Sequence, residues 1–238
     1  MQPYYDERWK NENVSNKPPN AHRVELVAKA AAEAAKKSPR VDILDVGCGN
    51  GWILARLSEL TGERATLHGI EPSAEGVKNT QQKVPRANVR QCSLANLESG
   101  ASFDIITCSE VIEHVMDQQG FLADLANRLR KTGVLILTTP NGRYASHYFD
   151  YHHIEPQPVE KWIEKSQILN WSGALFEVVA LTTFDISEYY YSHPIFRRLR
   201  ARFLADRNAG NVLEQYLLDR YLVGLYWFVV MRRRETKG

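Results

Sequence analysis

The segment Val41-Asp-Ile-Leu-Asp-Val-Gly-Cys-Gly-Asn-Gly51 constrains this chain more than any other stretch. An apolar strand runs into three alternate glycines, Gly47, Gly49 and Gly51, and an amphipathic helix follows from Trp52 to Leu60. In a strand, glycine turn and helix of this kind, backbone approaches a ligand where any Cβ would collide. The pattern is not Gly-x-Gly-x-x-Gly, because the third glycine comes one residue early and Asp45 stands just before the first. A cofactor-binding turn inside a parallel sheet is therefore expected.

The rest of the chain fits that expectation. Strands at 41–46, 65–70, 89–93, 103–108 and 134–139 alternate with helices at 22–37, 52–61, 73–83 and 121–129. This rhythm predicts an α/β fold with a doubly wound, mostly parallel sheet whose ligand crevice lies at the strands' carboxyl ends. With 238 residues, 44% of them hydrophobic, one large domain is expected rather than two small ones. Residues 1–40 read as an amino-terminal arm and helix, the first twenty loosely structured around Pro3, Pro18 and Pro19 and able to cover a site. Residues 41–140 form the cofactor-binding core. Residues 141–238 form an acceptor-side region: a polar segment at 141–158, a helix near 159–171, and strands at 176–181 and 225–231 that complete a seven-stranded sheet. The long stretch between those two strands reads as a helical insertion before the last strand.

Composition narrows the classes. The longest apolar run, Tyr221 to Met231, is too short to span a bilayer, and the first residues lack the apolar core of a secretory signal, so a cytoplasmic protein is expected. Cys48, Cys92 and Cys108 show no Cys-x-x-Cys spacing, and neither a zinc site nor a disulfide is assigned. The net charge of +2 hides an asymmetry, since from Ile186 onward ten Lys/Arg stand against five Asp/Glu. Within Ile195 to Leu204 an apolar stripe lies opposite Arg197, Arg198, Arg200 and Arg202. That pattern suits either a solvated face or peripheral contact with a membrane surface through 195–204. A nucleic-acid partner is disfavoured, because the domain as a whole is not strongly basic.

With Asp45 before the glycine turn, and Glu71 at the end of the second strand twenty residues after Gly51, the chain resembles class I S-adenosylmethionine-dependent methyltransferases. Phe103-Asp-Ile-Ile-Thr-Cys-Ser-Glu-Val-Ile-Glu-His-Val115, together with Asn20-Ala-His-Arg23, resembles the ubiquinone-biosynthesis O-methyltransferase branch. The resemblance covers residues 41–140 well and 8–26 in outline. It implies a Rossmann-like sheet ending in an antiparallel hairpin, with S-adenosyl-L-methionine as methyl donor. Gly47, Gly49 and Gly51 would then lie against the donor's amino acid part and ribose, and Glu71 has the spacing at which a carboxylate accepts both ribose hydroxyls. Ser93 falls where the family places an acidic residue near the adenine amine. Ser109 falls where it lays backbone against the donor, and Arg23 can reach the donor's carboxylate.

Glu110, Glu113 and His114 stand at i, i+3 and i+4, and on a helical turn they face one way. With His153 as a fourth ligand they can hold Mg²⁺ or Mn²⁺, as a comparable Glu-x-x-Glu-His does in small-RNA 2′-O-methyltransferases. A metal would lower the pKa of an acceptor hydroxyl while a nearby His takes the proton, which makes His114, His153 and Glu110 the catalytic candidates. In the alternative, Glu110 caps a turn and His114 packs beneath the cofactor. Tyr144, Tyr148, Phe149, Tyr151, Phe184 and Tyr189 to Tyr191 suit a flat small-molecule acceptor, a phenol or quinol, or else form the insertion's own core. Methylation of a sugar hydroxyl or RNA, and a non-catalytic donor-binding protein, stay open as further readings.

Overall fold

A computed structural model describes residues 2–12, 18, 20–153, 157–186, 222 and 224–235. Seven strands form one sheet: β1 (Val41–Val46), β2 (Ala65–Ile70), β3 (Asn88–Arg90), β4 (Phe103–Ser109), β5 (Leu129–Pro140), β6 (Phe176–Ile186) and β7 (Gly224–Arg233), in the order β3-β2-β1-β4-β5-β7-β6. The first five run parallel, while β7 lies antiparallel between β5 and β6. The expected doubly wound sheet with its terminal antiparallel hairpin is thus present. The order reverses at β1, which places the β1 turn at the topological switch point where such sheets bind ligands.

Both faces of the sheet are covered, so its central strands are apolar at successive positions rather than alternate ones. Ile43, Ile105 and Ile136 turn to one core with Val27, Ala28 and Ala31 of α2 (Ala21–Ala35) and Leu54 and Leu57 of α3 (Trp52–Thr61). Their chain neighbours Leu44, Ile106 and Leu135 turn to the other, with Leu122 and Leu125 of α5 (Gln118–Arg128) and Ile168 of α7 (Lys165–Ser172). Two further helices, α4 (Ala74–Lys83) and α6 (Gly142–Tyr151), follow β2 and β5.

Two expectations are corrected, and one segment with no expected element forms a helix. The loose arm contains a helix, α1 (Gln2–Glu12), packed against α4. The polar segment after Pro140 forms α6, which starts where Asn141 caps the Arg143 N–H. The helix expected at 159–171 begins only at Lys165, where the Gln167 side chain accepts from the Glu164 N–H and fixes the start. Residues 187–221, with the basic stretch 195–204 and Tyr189 to Tyr191, lie outside the described residues. Among the described residues no helix is long and apolar enough to cross a membrane.

Leu54 is fully buried between α3 and β2, and its Cδ1 would stand 2.9 Å from a Cβ at Gly69. Leu54→Ala should cost about 2–5 kcal/mol of unfolding free energy, read as a lower urea midpoint at unchanged slope.

Candidate functional site

The glycine turn is held from below by strands and from the side by α4. Gly47, Gly49 and Gly51 adopt φ of 70°, 51° and 75°, the left-handed region that favours glycine. The Gly47 and Cys48 N–H groups both donate to the Ile70 carbonyl of β2. Thr80 Oγ1 donates to the Gly49 carbonyl at 2.7 Å, Lys83 Nζ to the Asn50 carbonyl at 2.8 Å, and Asn79 Nδ2 to Asn50 Oδ1 at 2.8 Å. Sequence reasoning missed this α4 clamp, although its 79-80-83 spacing is one helical face. The space over the glycines is also taken by protein: a Cβ would meet Val111 at Gly47, Trp9 at Gly49 and Thr80 at Gly51.

Three carboxylates stand along the carboxyl ends of the strands. Asp45 is buried; Thr107 Oγ1 donates to its Oδ1 at 2.7 Å, while its Oδ2 has no hydrogen-bond partner among the described residues. Burial pushes its pKa up to about 7, against the Thr107 bond and with help from the charge of Glu71. Glu71, 4% exposed, accepts the Gly49 N–H at Oε2 and the Ser73 N–H at Oε1, both at 3.0 Å. Burial raises its pKa, and the backbone donors and the Trp9 indole oppose the rise. Glu110 begins the segment after β4 with φ 57°, a strained value for a non-glycine residue. Its N–H donates to the Thr138 carbonyl, Thr138 Oγ1 donates to its Oε1 at 3.0 Å, and Arg23 lies 3.4 Å from its Oε2. Asn20 places that arginine, accepting the Arg23 N–H as helix cap while donating to Asp185 of β6.

The left-handed residue breaks the phase that the i, i+3, i+4 spacing needs. Ile112–His114 form a short 3₁₀ turn, so Glu110 and Glu113 take different partners. Glu113, 1% exposed, accepts from Thr139 Oγ1 at 2.9 Å, and burial together with Glu110 raises its pKa well above the carboxylate range. His114 Nδ1 contacts the Val159 carbonyl at 2.8 Å and therefore carries the proton, leaving Nε2 as a lone pair 3.7 Å from Glu113 Oε1. Burial lowers the imidazole's pKa, with the Val159 bond opposing. His153 is exposed on the turn after α6 and does not join the cavity lining that the other three share. Among the described residues no three His, Cys, Asp or Glu side chains are set to hold a metal ion. The expected quartet is not assembled.

Two cavities of 460 and 400 Å³ open on this array, with Tyr5, Trp9, Gly47, Glu110 and His114 lining both. Arg23, Asp45, Gly49, Ser109 and Glu113 line the first; Glu71 and Ser93 line the second. Of the expected residues, Gly51 and His153 line neither.

A family model described as a methyltransferase domain matches residues 20–189 of this chain. The chain belongs to the class I S-adenosylmethionine-dependent methyltransferases. The ubiquinone biosynthesis O-methyltransferase of Rickettsia typhi is 27% identical over 175 residues, 71% of this chain and 70% of that protein. Its mitochondrial counterpart in Homo sapiens is 37% identical over 108 residues, 42% of this chain and 28% of that protein. The magnesium protoporphyrin IX methyltransferase of Synechocystis PCC 6803, solved with bound SAH, shares the fold with a TM-score of 0.64 at 15% identity, covering 98% of this chain and 97% of that one.

For a methyltransferase of this class, a buried acid with an unmatched oxygen beside the glycine turn carries a pH signature. The Asp45 carboxyl is raised in the folded state, so its contribution is fully present below the ordinary aspartate pKa and is lost as pH rises through about 7. In ligand-free protein, Asp45→Asn should be more stable than wild type at pH 8 by up to roughly 4 kcal/mol, with the difference vanishing near pH 4 in urea titrations.

Proposed function

We propose that this methyltransferase methylates a hydroxyl of a small aromatic acceptor, phenolic or quinol-like, with His114 as general base. The observation that carries the reading is the Nδ1–H of His114 fixed on the Val159 carbonyl, which leaves Nε2 unprotonated at the first cavity.

The residues present fit the methyl donor. Asp45 Oδ2 and Asn50 Nδ2 are buried, unmatched and on the first cavity's wall, an acceptor and a donor suited to an ammonium and a carboxylate. Glu71 offers a carboxylate to a ribose diol. The second cavity is walled by Val46, Ile70, Pro72, Leu94 and Phe121, an apolar slot for a purine, with Ser93 at its polar edge. When bound, S-adenosylmethionine supplies an electrophilic methyl on a sulfonium.

The protein's own part is orientation and one proton. Tyr5, Phe149 and Tyr226 line the first cavity and suit a flat ring. Tyr226 is fixed by stacking on Phe184 at 5.2 Å. As the acceptor oxygen bonds the methyl carbon and the sulfur–carbon bond breaks, the hydroxyl proton passes to His114 Nε2. Burial and the charge of Glu110 disfavour the ionised form of Glu113, which weakens its pull on a proton at the ring. Arg23 and Thr138 hold Glu110, and so the backbone of the turn that carries His114. The O-methyltransferase names of the sequence relatives support oxygen as the methylated atom.

Transfer of labelled methyl to catechols and hydroquinones tests this directly. His114→Asn should lower kcat by about 10²- to 10⁴-fold while leaving the S-adenosylhomocysteine Kd unchanged. Wild-type kcat should stay level through neutral pH and fall only below the usual histidine range, because burial lowers the imidazole pKa. Methyl transfer solely to amines, or full activity in His114→Asn, contradicts the proposal.

A further inference from the structure

Trp9 has no role in the site described so far, yet it lies at the junction of the two cavities. Its six-membered ring would stand 2.8 Å from a Cβ at Gly49, and its Cδ1 3.1 Å from a Cβ at Gly76, so both glycines make room for the indole. The helix that carries it is pinned to the start of α4: Ser73 Oγ donates to Asp6, and Asn79 Nδ2 donates to the Trp9 carbonyl at 3.2 Å. The indole is thus seated by design of its surroundings rather than draped over the surface. Its Nε1–H is buried and faces the Glu71 carboxylate, whose pKa it lowers, yet it meets no acceptor in full hydrogen-bond geometry among the described residues. Buried N–H groups are rarely left so, and each one that is calls for an explanation such as a functional role, a water or an ion.

The chemistry beside it says which ligand group would complete it. Glu71 can only accept, and the Gly49 and Ser73 N–H groups next to it are already spent on its two oxygens. A ribose hydroxyl both donates and accepts; when it donates to Glu71 its own oxygen still needs a donor. We infer that Trp9 Nε1–H is that donor, so that Trp9 and Glu71 together form a matched donor–acceptor pair for the cofactor's ribose diol. The inference rests on the donor-binding reading above and adds to it a residue contributed by the amino-terminal helix, outside the sheet. The influence of the Trp9 indole on the Glu71 carboxyl fits this proximity.

Calorimetric titration with S-adenosylhomocysteine, and with its 2′-deoxy and 3′-deoxy analogues, tests it without turnover. Trp9→Phe keeps a ring against Gly49 and removes only the N–H. It should weaken S-adenosylhomocysteine binding by about 5- to 10-fold at unchanged Tm, and the weakening should disappear with the deoxy analogue that lacks the accepting oxygen. Equal affinity in Trp9→Phe and wild type overturns the inference, as does a loss of the same size with both analogues. Tighter binding by Trp9→Phe or Trp9→Ala also overturns it and makes the indole a plug. Absence of binding by the wild-type chain removes the donor-binding reading itself, an outcome distinct from these.

Discussion

One buried carboxylate joins the pieces of this site. Glu71 closes β2, and its two oxygens accept from Gly49 in the β1 turn and from Ser73 at the start of α4. β1, β2 and α4, already joined by strand pairing and by the α4 clamp, are thereby fixed together at one residue. No cation pairs with it among the described bonds, so its charge rests on two backbone N–H groups and the Trp9 indole, donors that bind strongly because the acceptor is ionised. Burial works against that charge and raises the pKa. A carboxylate held so, with accepting capacity left over, is prepared for hydroxyl donors more than for stability.

The acceptor side depends on a different constraint. Glu110 takes a left-handed φ of 57° because its N–H is bound to the Thr138 carbonyl and its side chain to Thr138 and Arg23. Such strain persists where several contacts over-determine it, and it is commonly found where a chain must present a side chain at a fixed angle. Here it redirects the chain into the short turn that brings His114 to the Val159 carbonyl. The paired threonines of β5, Thr138 and Thr139, each hold one of the two glutamates, so the end of a single strand sorts them into separate environments.

What the sequence made legible is local. The β1 turn, the alternation of strands and helices and the place of Glu71 follow from short-range pattern, and β1, α3 and β2 stand where that pattern puts them. The amino-terminal helix does not follow from it, because α1 has no apolar stripe; its partners Ser73 and Asn79 lie 67 and 70 residues away from Asp6 and Trp9. The same distance hid the clamp of α4 on the glycine turn. The Glu110, Glu113 and His114 spacing predicts one helical face, and one residue with positive φ removes that phase. His153 fits a ligand set by residue type alone, and its exposed turn does not bring it to the crevice.

The measurement that bears most directly on this account is calorimetric titration of S-adenosylmethionine into the wild-type chain and into Glu71→Ala. The account predicts micromolar or tighter binding by the wild type, and a loss of at least about tenfold in the variant at a temperature where circular dichroism shows it folded. Absence of binding by the wild type, or equal affinity in folded Glu71→Ala, would contradict it.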